Sequence, residues 1–109
     1  TYATLSSGGL ASLKMIQGIG TAPTLAGACS TTLGTGSNNI AGFFTTTTTG
    51  VCAITLTMSL ASTTGVSCFY SNATTVANLF MQTSDSTTVS TASGTTVSGD
   101  KVYYHCGGY

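Results

Sequence analysis

One stretch of alternating apolar and polar residues constrains the fold more than any other feature of this chain. It runs from Thr45 to Tyr70 and reads TTTTTGVCAITLTMSLASTTGVSCFY. In its first half every second residue is apolar: Cys52, Ile54, Leu56, Met58 and Leu60. After a polar turn at 61–65, the second half repeats the pattern with Val66, Cys68 and Tyr70. A period of two places alternate side chains on opposite faces of a strand. The stretch therefore predicts a β-hairpin with a cysteine on the core face of each strand.

The chain carries almost no charge. It contains two lysines, two aspartates and one histidine, so that 4% of its residues are charged and the net charge is zero. Ordinary domains carry about 25% charged residues. Phosphate binding requires clustered Lys and Arg, which excludes a nucleic-acid partner. No apolar run approaches the roughly 18 residues of a membrane span, so we expect no membrane insertion.

The lack of charge also bears on how strand edges are protected. Exposed edges are normally guarded by lysine and other charged residues, which this sequence scarcely contains. We therefore expect the edges to be covered by identical neighbouring chains. The sequence begins at Thr1 without a methionine, and we interpret it as a mature or excised piece of a longer protein.

Four cysteines give an even count and allow three disulfide connectivities. They lie at 29, 52, 68 and 106, without a CxxC pair, and His105 is the only histidine. This spacing argues against zinc or another metal. We favour two disulfides, Cys29–Cys52 and Cys68–Cys106, in an extracellular setting. The alternative is that some of these cysteines are small buried hydrophobic residues.

The rest of the chain predicts a set of short strands separated by turns. Residues 1–20 form a glycine-bounded segment that we interpret as a connector packing against partner chains. From residue 21 onward, seven or eight short segments follow one another with glycine and serine turns between them. Threonine is frequent, and its β-branched side chain favours strands. This pattern predicts an all-β fold, a small antiparallel β-sandwich.

No set of residues suited to catalysis is evident. A serine hydrolase needs a converging serine, histidine and acid, and a glycosidase needs two carboxylates. The only carboxylates, Asp85 and Asp100, stand in the contexts Ser-Asp-Ser and Gly-Asp-Lys, where aspartate usually caps a turn. We therefore predict a protein that is not an enzyme and has no cofactor. The triplet Asn72-Ala73-Thr74 matches the N-glycosylation pattern, a match of little weight in a threonine-rich chain.

Aromatic residues near the end of the sequence are the candidates for ligand binding. In the segment 101–106, Val102, Tyr104 and Cys106 alternate with Lys101, Tyr103 and His105. We predict that the second set faces outward and that Tyr103, His105 and Tyr109 contribute to a binding surface, since tyrosine offers rigid contact area. Phe43 and Phe44 are adjacent, so one belongs to the core and the other to an interface or exposed patch.

Four segments together resemble the C-terminal, receptor-binding tip domain of trimeric phage tail fibres. They are GSNNIAGFF, VCAITLTM, GVSCFYSN and the terminal SGDKVYYHCGGY. The same pattern is similar to the tips of the mosaic adhesive trimer fibre proteins of predatory bacteria. The terminal motif of these families is matched here by Gly99, Asp100, Tyr104, Cys106, Gly108 and Tyr109.

The resemblance implies a homotrimer whose distal surface binds a cell-surface ligand, most often a glycan. It implies that residues 1–20 are the end of a stem and residues 21–109 the tip domain of a fibre on a virion or bacterial cell. It transfers no ligand-binding residue, because the tip surface varies within such families. A second hypothesis is a structural subunit of a surface appendage or virion without a ligand-binding role.

Overall fold

A computed structural model of the chain describes residues 21–27 and 29–109, without the side chains of residues 30 and 31. The predicted connector at 1–20 lies outside the described residues. Within them the chain forms eight strands and no helix, hence no helix long and apolar enough to cross a membrane. The strands are β1 (Thr24–Ala26), β2 (Ser30–Leu33), β3 (Ala41–Thr46), β4 (Gly50–Thr57), β5 (Val66–Asn72), β6 (Phe80–Asp85), β7 (Val89–Thr96) and β8 (Lys101–Gly108).

The strands form two four-stranded sheets that pack face to face. One sheet has the order β1-β4-β7-β6 and the other the order β2-β3-β8-β5, and every pair is antiparallel. The predicted all-β sandwich of seven or eight short strands is confirmed. One side of the sandwich is formed by β1 and β2, and we call it the short-strand side. The opposite side is formed by β5 and β6, and we call it the long-strand side.

The predicted hairpin between β4 and β5 is wrong, because the two strands belong to different sheets. β4 pairs with β7 from Gly50↔Thr96 to Thr57↔Val89, whereas β5 pairs with β8. Both apolar faces do point into the core, but from opposite sheets. Alternation specifies which face of a strand is buried and leaves its pairing partner open. Leu60, predicted on the core face, is exposed because β4 ends at Thr57.

Apolar side chains of both sheets interlock around Phe80, the first residue of β6. Phe80 is buried, and its ring centroid lies 5.8 Å from that of Phe44 on β3 and 5.7 Å from that of Tyr70 on β5. Burial of each such side chain contributes about 1.5–3 kcal/mol. The fully buried core also includes Cys52, Leu56 and Val102. Phe80 thus holds β6 against the facing sheet on the long-strand side.

Two disulfides fasten the sandwich, with the predicted connectivity. Cys29 and Cys52 are bonded, and this link joins the entry to β2 in one sheet to β4 in the other. Cys68 and Cys106 are bonded across directly opposed positions of β5 and β8 within one sheet. Each closes a loop worth roughly 3–4 kcal/mol in the chain-entropy model. Disulfides of this kind indicate an oxidising compartment outside the cytoplasm.

Candidate functional site

The outer face of β8 carries the predicted outward set of side chains. Val102, Tyr104 and Cys106 are buried, while Tyr103 and His105 are exposed. The strand is central in its sheet, between β3 and β5. Its alternation therefore points one set of side chains into the core and the other onto the middle of an exposed sheet face.

The pairing of β3 and β5 with β8 places two phenylalanines beside the outward side chains of β8. Tyr103 lies opposite Phe43 on β3, and their ring centroids are 5.9 Å apart. His105 lies opposite Phe69 on β5, a residue 78% exposed. These four residues, Phe43, Phe69, Tyr103 and His105, form what we call the aromatic face. Directly opposed residues on one face of a sheet are close enough to act as one surface.

A groove of about 850 Å³ runs over the aromatic face. The four rings line it together with polar side chains from the 35–38 loop and Ser71. The loop is held in place because Asn38 Oδ1 accepts the N–H groups of Ile40 and Ala41, at 2.8 and 3.0 Å. Apolar walls with a few placed polar groups are typical of sites that bind small ligands.

Lys101 is the one cationic side chain at this face among the residues described. Its Nζ lies 4.2 Å from the centroid of Phe43 and 5.1 Å from that of Tyr103. Such contacts stabilise a cation by roughly 0.5–1 kcal/mol at exposed sites. The Phe43 ring also rests against Gly34, where a Cβ atom would come within 2.0 Å of the ring. Gly34 therefore permits the position of Phe43, which lines the groove.

The three sequence-predicted binding residues do not all share this groove. Tyr103 and His105 line it, whereas Tyr109 lines a smaller adjoining depression that also contains Phe69 and His105. The Tyr109 hydroxyl donates to Asp85 Oδ2 at 3.0 Å. This hydrogen bond, the carboxylate charge and partial burial raise the pKa of Tyr109. Its hydroxyl is thus already engaged by the protein.

Sequence analysis missed Phe69 and left the role of Phe43 open. Phe44 is the core member of its pair, and Phe43 is the one that reaches the outer surface. Phe69 occupies the outward position between Cys68 and Tyr70. Phe69 could have been identified from the sequence, because it is a large apolar residue at a position of the alternating strand where the other residues are polar.

The two carboxylates lie too far apart to act together. Asp85 ends β6 opposite Ser90 near the start of β7, and Asp100 follows the turn after β7 ends at Thr96. At roughly 3.3 Å per residue this separation is on the order of 20 Å or more, against about 5–9.5 Å in glycosidases. The prediction that Asp85 caps a turn is wrong, since Ser86 Oγ accepts the turn N–H groups of Thr88 and Val89.

Asp100 does cap its turn, and it is buried. Its carboxylate accepts hydrogen bonds from the Val97 N–H at 2.9 Å, Asn72 Nδ2 at 2.7 Å and Thr75 Oγ1 at 2.8 Å. The Val97 bond, followed by the Asn72 bond, lowers the pKa of Asp100 against the opposing effect of burial. Asn72 is itself buried, and its Nδ2, the atom that glycosylation would modify, donates a hydrogen bond to Asp100 Oδ2. The folded chain therefore does not present this triplet for glycosylation.

The described part of the chain holds no cluster of three or more His, Cys, Asp or Glu side chains that could bind a metal ion. Comparison with protein-family models, with curated proteins and with solved structures found no match. The functional argument therefore depends on the aromatic face itself.

Proposed function

We propose that this domain is a non-enzymatic adhesin, the receptor-binding tip of a trimeric fibre, and that it recognises a cell-surface glycan on the aromatic face. The observation that carries the proposal is the clustering of Phe43, Phe69, Tyr103 and His105 along one groove on an exposed sheet face. Exposed rings at this density are costly in water unless a ligand covers them.

A sugar ring matches the chemistry of this groove. The C–H face of a pyranose is apolar and carries partial positive charge, and it packs on the negative face of an aromatic ring. The sugar hydroxyls then meet polar groups at the margin, where Ser71 and His105 lie beside Tyr103. No acid and base converge at this surface, because Asp100 is buried and Asp85 lies beyond it at Tyr109. The groove is thus suited to binding rather than to bond cleavage.

Assembly into a trimer would strengthen a weak individual site. Linking several sites converts later binding events into intramolecular ones and raises the overall avidity by about 10²–10⁴. The segment order resembles tips that work in this way. An extracellular position on a virion or bacterial surface agrees with two disulfides.

A glycan array with the whole chain tests the proposal. We expect reproducible binding to a subset of glycans and at least a tenfold loss in the Tyr103→Ala variant, equivalent to about 1.4 kcal/mol. Val51→Ala is the control, because Val51 is an exposed apolar side chain (78%, against 45% for Tyr103) on the outward face of β4 in the other sheet. Binding that Tyr103→Ala leaves intact would contradict the proposed site.

The alternative function is a structural subunit of an appendage or virion, and the exposed apolar surface on the long-strand side favours it. The absence of glycan binding on the array, together with the growth of filaments in solution, would support this alternative. Electron microscopy of the concentrated protein distinguishes filaments from closed particles.

A further inference from the structure

Half of the backbone N–H and C=O groups of β5 point away from its sheet. Gly65 and Tyr109 exchange both backbone hydrogen bonds, and the Ala73 N–H donates to Lys101 O. Odd-numbered residues of β5 therefore bond to β8, and the N–H and C=O groups of even-numbered residues point away from the sheet. One of these, the Cys68 N–H, donates to Gln82 Oε1 at 2.8 Å. The backbone of Tyr70, by contrast, has no hydrogen-bond partner in the described part of the chain.

Exposed apolar side chains surround this edge. A groove of about 650 Å³ separates β5 from β6, and its lining includes Phe69, Val76, Leu79 and Met81. Their exposed fractions lie between 60% and 79%. At roughly 150–200 Å² per large side chain, they present on the order of 500 Å² of apolar surface. A standard interface buries about 800 Å² per partner, so this cluster could supply the centre of one.

No charged group lines the groove, since the described Asp, Lys and His residues, Asp85, Asp100, Lys101 and His105, all lie elsewhere. The groove therefore offers nothing that would select a charged partner. Its two means of recognition are apolar contact and an unpaired strand edge, to which a strand of a neighbouring copy can add.

We propose that a second copy of this chain docks on the long-strand side, covering the apolar groove and pairing with the backbone of Tyr70. The inference rests on the assembly contained in the proposed function and locates the contact between subunits. Phe69 lines both this groove and the aromatic face. The subunit contact therefore lies beside the ligand groove.

Two pairs of lysine substitutions test this contact in the whole chain. Val76 (79% exposed) and Leu79 (73%) line the groove, while Val51 (78%) and Leu60 (76%) do not and serve as matched controls. We expect V76K and L79K each to raise the dissociation constant of the assembly at least tenfold in analytical ultracentrifugation. V51K and L60K should leave it unchanged, with circular dichroism confirming that all four variants fold.

Amide hydrogen exchange provides an independent measurement on the strand edge. The Tyr70 amide should be protected in the assembled wild type and should exchange rapidly in L79K. A monomeric wild type, an assembly indifferent to both V76K and L79K, or a Tyr70 amide equally fast in assembled protein would each overturn the inference. Glycan binding by the monomeric variants, measured on the same array, would show that the proposed function survives such an outcome.

Discussion

The two sides of the sandwich protect their strand edges in different ways. On the short-strand side, β1 has three residues and β2 has four, and the pairing of β2 with β3 shifts register between Ser30 and Leu33. Short strands and irregular pairing discourage the addition of another strand. On the long-strand side, β5 has seven residues in continuous register with β8, flanked by apolar side chains. The chain thus protects one side by its own geometry and leaves the other with a regular strand edge beside an apolar groove.

The two disulfides also differ between the two sides in which strands they join. Cys29–Cys52 joins the two sheets, so it restrains a region whose strands make few ladder hydrogen bonds. Cys68–Cys106 joins two strands that are already paired along their length. The first link therefore replaces missing pairing, whereas the second reinforces the strand that carries the free edge.

Removing each disulfide by paired Cys→Ala substitutions should give the largest effects. Loop entropy alone predicts losses of unfolding free energy of about 3.5 kcal/mol for Cys29–Cys52 and about 4 kcal/mol for Cys68–Cys106. We expect the loss of unfolding free energy on removing Cys29–Cys52 to exceed this predicted value, because few other bonds hold the short-strand side. Guanidinium unfolding of both double variants measures the two losses. A smaller loss for Cys29–Cys52 than for Cys68–Cys106 would contradict the comparison.

Gln82 is the direct hydrogen-bonded link between β5 and β6 in the described part of the chain, and its loss should have an intermediate effect. Its Oε1 accepts from both the Cys68 N–H and Ser90 Oγ, each at 2.8 Å. Gln82→Ala leaves these donors without that acceptor, which should destabilise the fold by about 1–3 kcal/mol. Thr83→Ala, at an exposed neighbouring position, should stay within about 0.5 kcal/mol. Urea unfolding of the two variants in parallel provides the measurement, and equal losses would show that Gln82 does not link the strands.

Acid should destabilise the long-strand side locally. We expect this effect to be smaller than those of removing a disulfide or of replacing Gln82. Asp100 has a lowered pKa in the folded state, so its contribution to stability is present above the unfolded value of about 3.9. It is lost as the pH falls through the folded pKa. Because Asp100 binds Asn72 and Thr75, the protection factors of the amides at 72–79, which compare their exchange with the intrinsic rate at the same pH, should fall below about pH 4.

An Asp100→Asn variant provides the control for the acid experiment. It cannot titrate, so the protection factors of its 72–79 amides should change little between neutral and acidic solution. Protection factors that fall equally in the variant would assign the acid effect to another group. Residues on the short-strand side should respond less in both proteins, since Asp100 makes no hydrogen bond there.

The sequence predicted local features more successfully than pairing. The alternation of Val102, Tyr104 and Cys106 with Tyr103 and His105 correctly assigned both faces of β8, because burial of one face follows directly from a period of two. The same rule assigned the core face of β4 but could not reveal that β5 lies in the other sheet. The disulfide pairing was confirmed, although three connectivities fitted the count.

The candidate site was only partly predictable for the same reason. Tyr103 and His105 share a strand, so their neighbourhood could be deduced from spacing alone. Phe43 and Phe69 join them through the pairing of β3 and β5 with β8, which depends on tertiary contacts distant in sequence. Tyr109 was grouped with Tyr103 by composition, yet its hydroxyl bond to Asp85 directs it to the neighbouring depression.

The central position of β8 limits how this surface could diversify. Even-numbered residues of β8 bond to β3 and odd-numbered ones to β5, while its side chains alternate between core and groove. Inserting or deleting one residue would exchange inside for outside along the rest of the strand and break both ladders together. The side chains at 101, 103 and 105 can therefore be replaced without disturbing either ladder. Changes of length are confined to flanking loops such as 34–39, of which residues 35–38 line the groove.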